Sequence, residues 1–325
     1  MKRLLGCTIA FALVLVAGTA FAKPPVVISE CGAVITEPGK YRVTQDLFCA
    51  PEQWGIWVLA SDVTVDLKGN SITCDASGEF PVAAVFVGNL FDTTFVAEDI
   101  WVKNGTVSGC DNGVVFWYSQ SGKATKITAT GNNVGITVFE ARDTLVKNNI
   151  GFGNAQAIGS NGGIGSEIRG NKLYDNFDVA IALEPGANSL VACNTSERDV
   201  FGVRIGPDSS GNVVRGNYII DGAWGIGLYG IGLNPDLIGL PMASGNLIRN
   251  NIVEGSAFAD LAEAMLTPDE FGGGLFLLSE CLNTWTKNQY FTELGPVDCI
   301  APPVELDDDD VCALDDDDDS DSDSD

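Results

Sequence analysis

The sequence predicts an all-β solenoid, a chain wound into about nine stacked coils of short parallel strands. Three observations carry that reading. Asn149, Asn171, Asn194 and Asn217 stand 22, 23 and 23 residues apart, and Asn251 extends the series after 34. A second polar series, Asn132, Asn154, Asn176 and Asp199, runs beside it at 22, 22 and 23. Each coil opens on a small residue followed by an aliphatic one, as in Gly113-Val114, Gly135-Ile136, Ala157-Ile158, Ala180-Ile181, Gly202-Val203 and Gly225-Ile226. Self-similarity at a fixed period of this size marks a stack of near-identical units.

A unit of this length cannot bury an apolar face alone, but a stack of units can. Within each coil the strands alternate, so that Ile136 and Val138 point inward while Thr137 and Phe139 point out. Ile181/Leu183, Val203/Ile205 and Ile226/Leu228 repeat the inward pair. An inward asparagine is tolerable only when its neighbours above and below satisfy it, so Asn149, Asn171, Asn194, Asn217 and Asn251 are expected to form an amide ladder at a bend.

Taken in order, residues 1–22 read as an export leader. Lys2 and Arg3 precede an apolar run, and Ala20-Phe21-Ala22 is a small-x-small cleavage site. Residues 23–54 read as an N-terminal cap of short β-prone runs split by Pro38-Gly39, closing an otherwise open sheet edge. Residues 55–256 hold the coils. Two excursions, 86–98 and 231–244, break the period, and the second is apolar enough to lie against a coil face. Residues 257–300 read as a last coil and cap, with a short helix over Phe258–Met265. Residues 301–325 are low-complexity Asp/Ser and are expected to be disordered.

Composition narrows the function. The formal charge is −26, and twelve aspartates lie between Asp307 and Asp325. Such a surface repels nucleic acid and anionic lipid. No run after the leader is long and apolar enough to span a membrane. The mature chain is therefore expected to be exported, to periplasm or extracellular space, without a membrane span or a nucleic-acid partner, and as a monomer. Removing Cys7 with the leader leaves eight cysteines, an even number that suits disulfides in an exported chain. Spacing suggests Cys31 with Cys49, Cys74 with Cys110, and Cys281 with Cys299. That leaves Cys193 and Cys312, either bonded to each other or present as free thiols.

The stretch CGAVITEPGKYRVTQDLFC, followed by SDVTVDLKGNSI and DIWVKNGTVSG, resembles exported right-handed parallel β-helix repeat proteins of the pectate-lyase-like group. That group includes periplasmic maturation proteins linked to copper enzymes. NTWTKNQYFTELGPVDCI resembles their closing cap. The likeness covers residues 29–300 and implies the fold. It does not imply one activity, because the fold hosts lyases, hydrolases, adhesins and binders.

Chemistry is sparse. The chain has no histidine and only three methionines, which removes imidazole as base or metal ligand and leaves few soft donors for copper. No metal site and no cofactor is expected. The Asp tail matches no calcium loop and offers only weak condensation of calcium. Arg204 and Glu184 are the catalytic candidates, Arg204 as a base or a clamp on a uronate. The competing reading is a surface arginine paired with Glu184 or Asp208. Trp117, Phe139 and Tyr229 occupy equivalent outward positions and are the candidate ligand-binding residues, since aromatic faces stack on sugar rings. Packing under the two excursions is the alternative for them. A basic column, Lys147, Arg169, Arg215 and Arg249, accompanies the asparagine ladder; it reads either as a strip for an anionic glycan or as locally paired charge. Asn104 and Asn194 fall in glycosylation sequons but read as turn and ladder residues. Three functions follow, in order of preference: a non-enzymatic binder of a polysaccharide or surface glycan, a polysaccharide lyase or glycoside hydrolase, and a structural envelope-associated rod.

Overall fold

The computed structural model describes residues 23–229, 242–267, 274–277, 281–295 and 298–306. The expected leader, most of the second excursion and the acidic tail lie outside the described residues. Among the described residues every regular element is a strand. The fold is a right-handed parallel β-helix.

Coils contribute two to four strands. In the clearest one, Val134–Phe139 joins one sheet, while Leu145–Lys147 and Ile150–Phe152 join a second. In the first sheet Asn112–Trp117, Val134–Phe139 and Gln156–Asn161 pair in parallel, with Val114 beside Ile136 and Ile136 beside Ile158. In the second, Leu145–Lys147 lies beside Glu167–Arg169, and Ile150–Phe152 beside Lys172–Tyr174. A residue therefore meets its counterpart one coil away, and like stacks on like. The core is one continuous column of such stacks: Ile136, Ile158 and Ile181 are each 1% exposed, with Val114 and Val203 above and below them.

The small residue that opens each coil has a steric cause. A Cβ built on Gly113 would lie 2.3 Å from the carbonyl oxygen of Gly135, and one on Gly225 would lie 2.2 Å from that of Asp260. The strand approaches the next coil too closely for a larger side chain.

Polar ladders hold the three bends. Asn149 donates from its backbone N and its Nδ2 to Oδ1 of Asn171, at 2.9 and 3.0 Å, and its second Nδ2 hydrogen goes back to the Ala124 carbonyl. The pattern repeats from Asn171 to Asn194, Asn217, Asn251 and Asn288. Within the ladder, from Asn171 to Asn251, each side-chain amide gives at least two hydrogen bonds and accepts two, so its burial leaves no polar group unpaired. The second ladder runs Asn132, Asn154, Asn176 and ends on Asp199. A third, not anticipated from the sequence, runs Ser166, Ser189, Asn212, Asn246 and Asn283.

Two of the ladders end on carboxylates. Asp199 Oδ1 accepts both Asn176 donors, and Ser196 donates to Oδ2 at 2.7 Å. Glu263, also buried, accepts from Leu282 N, Asn283 Nδ2 and Trp285 Nε1. The backbone N–H and one Nδ2 hydrogen of each ladder asparagine point to the next coil, so a ladder can close on a group that only accepts. Burial raises the Asp199 carboxyl above the ordinary range, although the bonds from Ser196 and Asn176 oppose the shift.

Residues Ala259–Thr267 form a strand parallel to Trp224–Tyr229, not the expected short helix. Burial decides the matter, because Leu261 and Ala262 must continue the core and outer columns of the sheet. The disulfides Cys31–Cys49, Cys74–Cys110 and Cys281–Cys299 are present. Cys193 is disulfide-bonded as well, and its suggested partner Cys312 lies outside the described residues.

Candidate functional site

The outer face of the first sheet carries the aromatic residues, and the register explains how they meet. Trp57 lies beside Phe86, Phe86 beside Val115, and Trp117 beside Phe139. Trp117 and Phe139 stack with centroids 4.0 Å apart and planes 6° from parallel. Trp54 packs on Trp57 and Phe86 at 5.1 and 4.6 Å, and Phe86 reaches Trp117 at 6.1 Å. The result is one aromatic surface across successive coils. Trp54 and Trp57 are anchored through their ring nitrogens, which donate to the carbonyls of Pro81 and Gly88. Trp117 Nε1 is buried and has no acceptor among the described residues.

A cleft of about 300 Å³ opens at the N-terminal end of this surface, lined by Trp54, Trp57, Phe91, Glu52 and the backbone around Gly32–Val34. The first excursion supplies Phe91, which is 84% exposed and lies 6.2 Å from the Trp57 ring. The excursion therefore borders the aromatic surface at Trp57 and leaves Trp117 and Phe139 half-buried. Tyr229 ends a strand in the same outward column, but its side chain lies outside the described residues.

Further along the same face the neighbouring outward column, which runs through Phe86, Val115 and Thr137, becomes small at Gly159 and Ala182. It then reaches Arg204. The guanidinium donates to Asp178 Oδ1 and Oδ2 at 2.7 and 3.1 Å and to both carboxylate oxygens of Glu184. The expected partner Glu184 is present, whereas Asp178 takes the place considered for Asp208. Phe201 lies under the guanidinium at 5.4 Å and begins a second stack with Trp224 and Phe258. Burial acts to pull the Arg204 pKa down, but Glu184 and Asp178 together outweigh it and hold the group charged. Each of the three guanidinium nitrogens of Arg204 donates to one or both of two carboxylates. An arginine so engaged neither takes a proton nor clamps a uronate without first releasing one of them.

On the second sheet the basic residues share one column, interrupted at Ala192: Lys147 beside Arg169, Arg169 beside Ala192, Ala192 beside Arg215, and Arg215 beside Arg249. Arg169 pairs with Glu167 at 3.3 Å. Asp199 is buried at the end of its ladder and is not a partner for this column. Asn194 is a buried ladder residue, and Asn104 has a left-handed backbone within the strand Ile100–Ser108 and donates to Asp66. Sequence reasoning found Trp117 and Phe139 but did not place Trp54, Trp57 and Phe86 with them. The signal available was their coincidence in phase with the inward residues Ile56, Val85 and Val114.

A family model described as periplasmic copper-binding protein (NosD) matches residues 55–253. No curated protein sequence matches the chain. Among solved structures, the complex of XylC with xylose superposes with a TM-score of 0.51 at 10% identity, over 74% of this chain and 44% of that one. The chain thus spans less than half of that protein's length. The Azotobacter vinelandii mannuronan C-5 epimerase AlgE6 A-module gives 0.47 at 13% identity, over 80% and 84% of the two chains. A family 28 exopolygalacturonase of Yersinia enterocolitica gives 0.45 at 11%, over 82% and 71%. At these identities a likeness is one of fold alone.

Proposed function

The chain belongs to the NosD family, and from that premise we propose that it is an exported β-helix protein that binds a polysaccharide or surface glycan along the aromatic face of its first sheet. The observation that carries this reading is the joining of Trp54, Trp57, Phe86, Trp117 and Phe139 into one surface beside an open cleft. Trp54, Trp57, Trp117 and Phe139 are half-buried, with Phe86 buried beside them, and their outer edges and faces offer an apolar surface for the C–H faces of sugar rings. A binder also needs no activated nucleophile or base. The candidate cluster is consistent with that, since Arg204 bridges Asp178 and Glu184 and engages both carboxylates.

The family description points to copper, and the residues present do not fit a copper centre. The chain has no histidine. Each described cysteine is in a disulfide, and no group of three or more His, Cys, Asp or Glu side chains converges among the described residues. Copper is held by imidazole, thiolate and thioether donors, so no step is assigned to it.

The test is a screen of the purified mature protein against uronate-rich and neutral polysaccharides, with a Trp117→Ala/Phe139→Ala variant beside it. Loss of two stacking platforms should weaken glycan binding by at least about tenfold, while Arg204→Ala retains it. Absence of binding to any glycan sinks the proposal. Release of unsaturated oligosaccharides, read by their ultraviolet absorbance, would replace it with the lyase reading.

A further inference from the structure

Basic residues are divided unevenly between the two sheets. Among the described residues, the strands of the second sheet hold ten lysines and arginines, and those of the first hold one, Arg204. That one is bridged to Asp178 and Glu184, so the three groups together carry one negative charge. The strands of the aromatic face therefore present no uncommitted cation.

Carboxylates stand at both ends of the aromatic surface. Glu52 lines the cleft beside Trp54, Trp57 and Phe91. Glu140 follows Phe139 and is exposed. A Cβ built on Gly162 would lie 2.5 Å from Glu140 Cδ, so the glycine on the next coil is what gives this carboxylate its place. Asn161, beside Phe139 in register and also exposed, sets an amide next to it. Arg142, the basic residue nearest to Glu140 in sequence, lies on the bend beyond it, where its backbone N donates to the Ser119 carbonyl. No ion pair reaches Glu52 or Glu140 among the described residues.

These charges discriminate among the glycans that an aromatic face accepts. A polyuronate brings one carboxylate with each sugar and sets it against Glu52 and Glu140, on a chain of formal charge −26. Like charges in contact repel, and the lysines and arginines that would offset them are on the other sheet. A sugar that carries a protonated amine matches both features of the face. Its C–H surface lies on an aromatic ring, its ammonium is attracted to the ring face, and a carboxylate beside the ring accepts charge-assisted hydrogen bonds from it.

We propose that the aromatic face takes an amino-sugar polymer, with Glu52 and Glu140 as the residues that select protonated amines and reject uronates. The inference rests on the glycan-binding reading and narrows it to one chemical class.

The test is titration calorimetry of the full mature chain at pH 6 with three hexasaccharides, those of glucosamine, N-acetylglucosamine and galacturonate. The first two differ in whether the amine is free or capped. The glucosamine hexamer should bind about fivefold tighter or more than its acetylated form, as two exposed charge pairs allow, and the galacturonate hexamer should bind more weakly than either. Glu52→Gln/Glu140→Gln, a surface variant whose circular dichroism is expected to match the wild type, should bring the ratio of the first two close to one and leave the acetylated hexamer's affinity unchanged. Equal affinities for the free and capped amines, tighter binding of galacturonate, or an unchanged ratio in the glutamine variant overturns the inference and leaves the glycan-binding reading standing. Glucosamine binding that survives in Trp117→Ala/Phe139→Ala also overturns it, because the attraction then comes from charge elsewhere on the chain. Failure to bind the glucosamine hexamer overturns it as well, and the polysaccharide screen decides separately whether the broader reading falls.

Discussion

The asparagine ladders have a direction, and one substitution tests it. Asn171 is buried in the middle of its ladder. Its Oδ1 accepts Asn149 N and Asn149 Nδ2, and its Nδ2 donates to Val146 O and Asn194 Oδ1. Asn171→Ala removes both acceptors of Asn149 and leaves two buried N–H groups unpaired. At about 1–3 kcal/mol for each unsatisfied donor, the loss is about 3–4 kcal/mol. Asn171→Asp keeps those acceptors but turns a second carboxylate oxygen toward Val146 O and Asn194 Oδ1. Acceptor then faces acceptor and a charge is buried, so at pH 7 the aspartate should cost at least as much as the alanine. Acid should rescue it, because a protonated carboxyl donates to one of the two oxygens. At Asp199 the logic reverses. Its folded pKa is raised by burial, so the folded state holds the proton more tightly than the unfolded chain. The wild type then carries a penalty at neutral pH, which is lifted as pH falls through the folded pKa toward the ordinary carboxylate value. Asp199→Asn keeps the acceptor for Asn176, and Ser196 can rotate to accept. It should raise the unfolding midpoint at pH 7, with the gain closing in acid. The assay is denaturant unfolding by circular dichroism at pH 7 and pH 4.5, with hydrogen exchange at Asn149 and Asn176 to catch local opening in a stack that need not unfold all at once. A wild-type midpoint for Asn171→Asp at pH 7, or equal losses at the two sites, would refute the directional ladder.

Other outcomes follow from the same geometry. Arg204→Ala leaves Asp178 and Glu184 facing each other and should cost about 1–3 kcal/mol, reduced from a fully buried case because both carboxylates reach solvent; a double change that also removes Glu184 should recover part of the loss in thermal unfolding. Gly113→Ala drives a Cβ to 2.3 Å from the Gly135 carbonyl and should destabilise by about 1–3 kcal/mol, whereas Gly131→Ala meets no atom within 4 Å and is limited to its left-handed backbone strain of about 1 kcal/mol. The mature protein incubated with copper and dialysed should retain less than one equivalent by elemental analysis; a tight stoichiometric complex would contradict the donor-set argument.

The sequence by itself determined whatever the repeat determines. In a stack, a residue's neighbour is its counterpart one period away, so the inward columns through Ile136 and Ile158 and the ladders through Asn149 and Asn132 are legible from spacing alone. So is the pairing of Trp117 with Phe139. Where the period fails, so does the reading. The third ladder begins as Ser166 and Ser189 and jumps 34 and 37 residues between Asn212, Asn246 and Asn283, so no fixed interval announces it. The repeat pattern likewise did not show that Ala259–Thr267 would continue the sheet. Only the tertiary structure joined Trp54, Trp57 and Phe86 to the aromatic surface, chose Asp178 as the second partner of Arg204, and made Glu263 the end of a ladder. Those contacts depend on which way excursions and caps fold back, and that is set by burial and by unspent hydrogen bonds at the ends of the stack, not by the period within it.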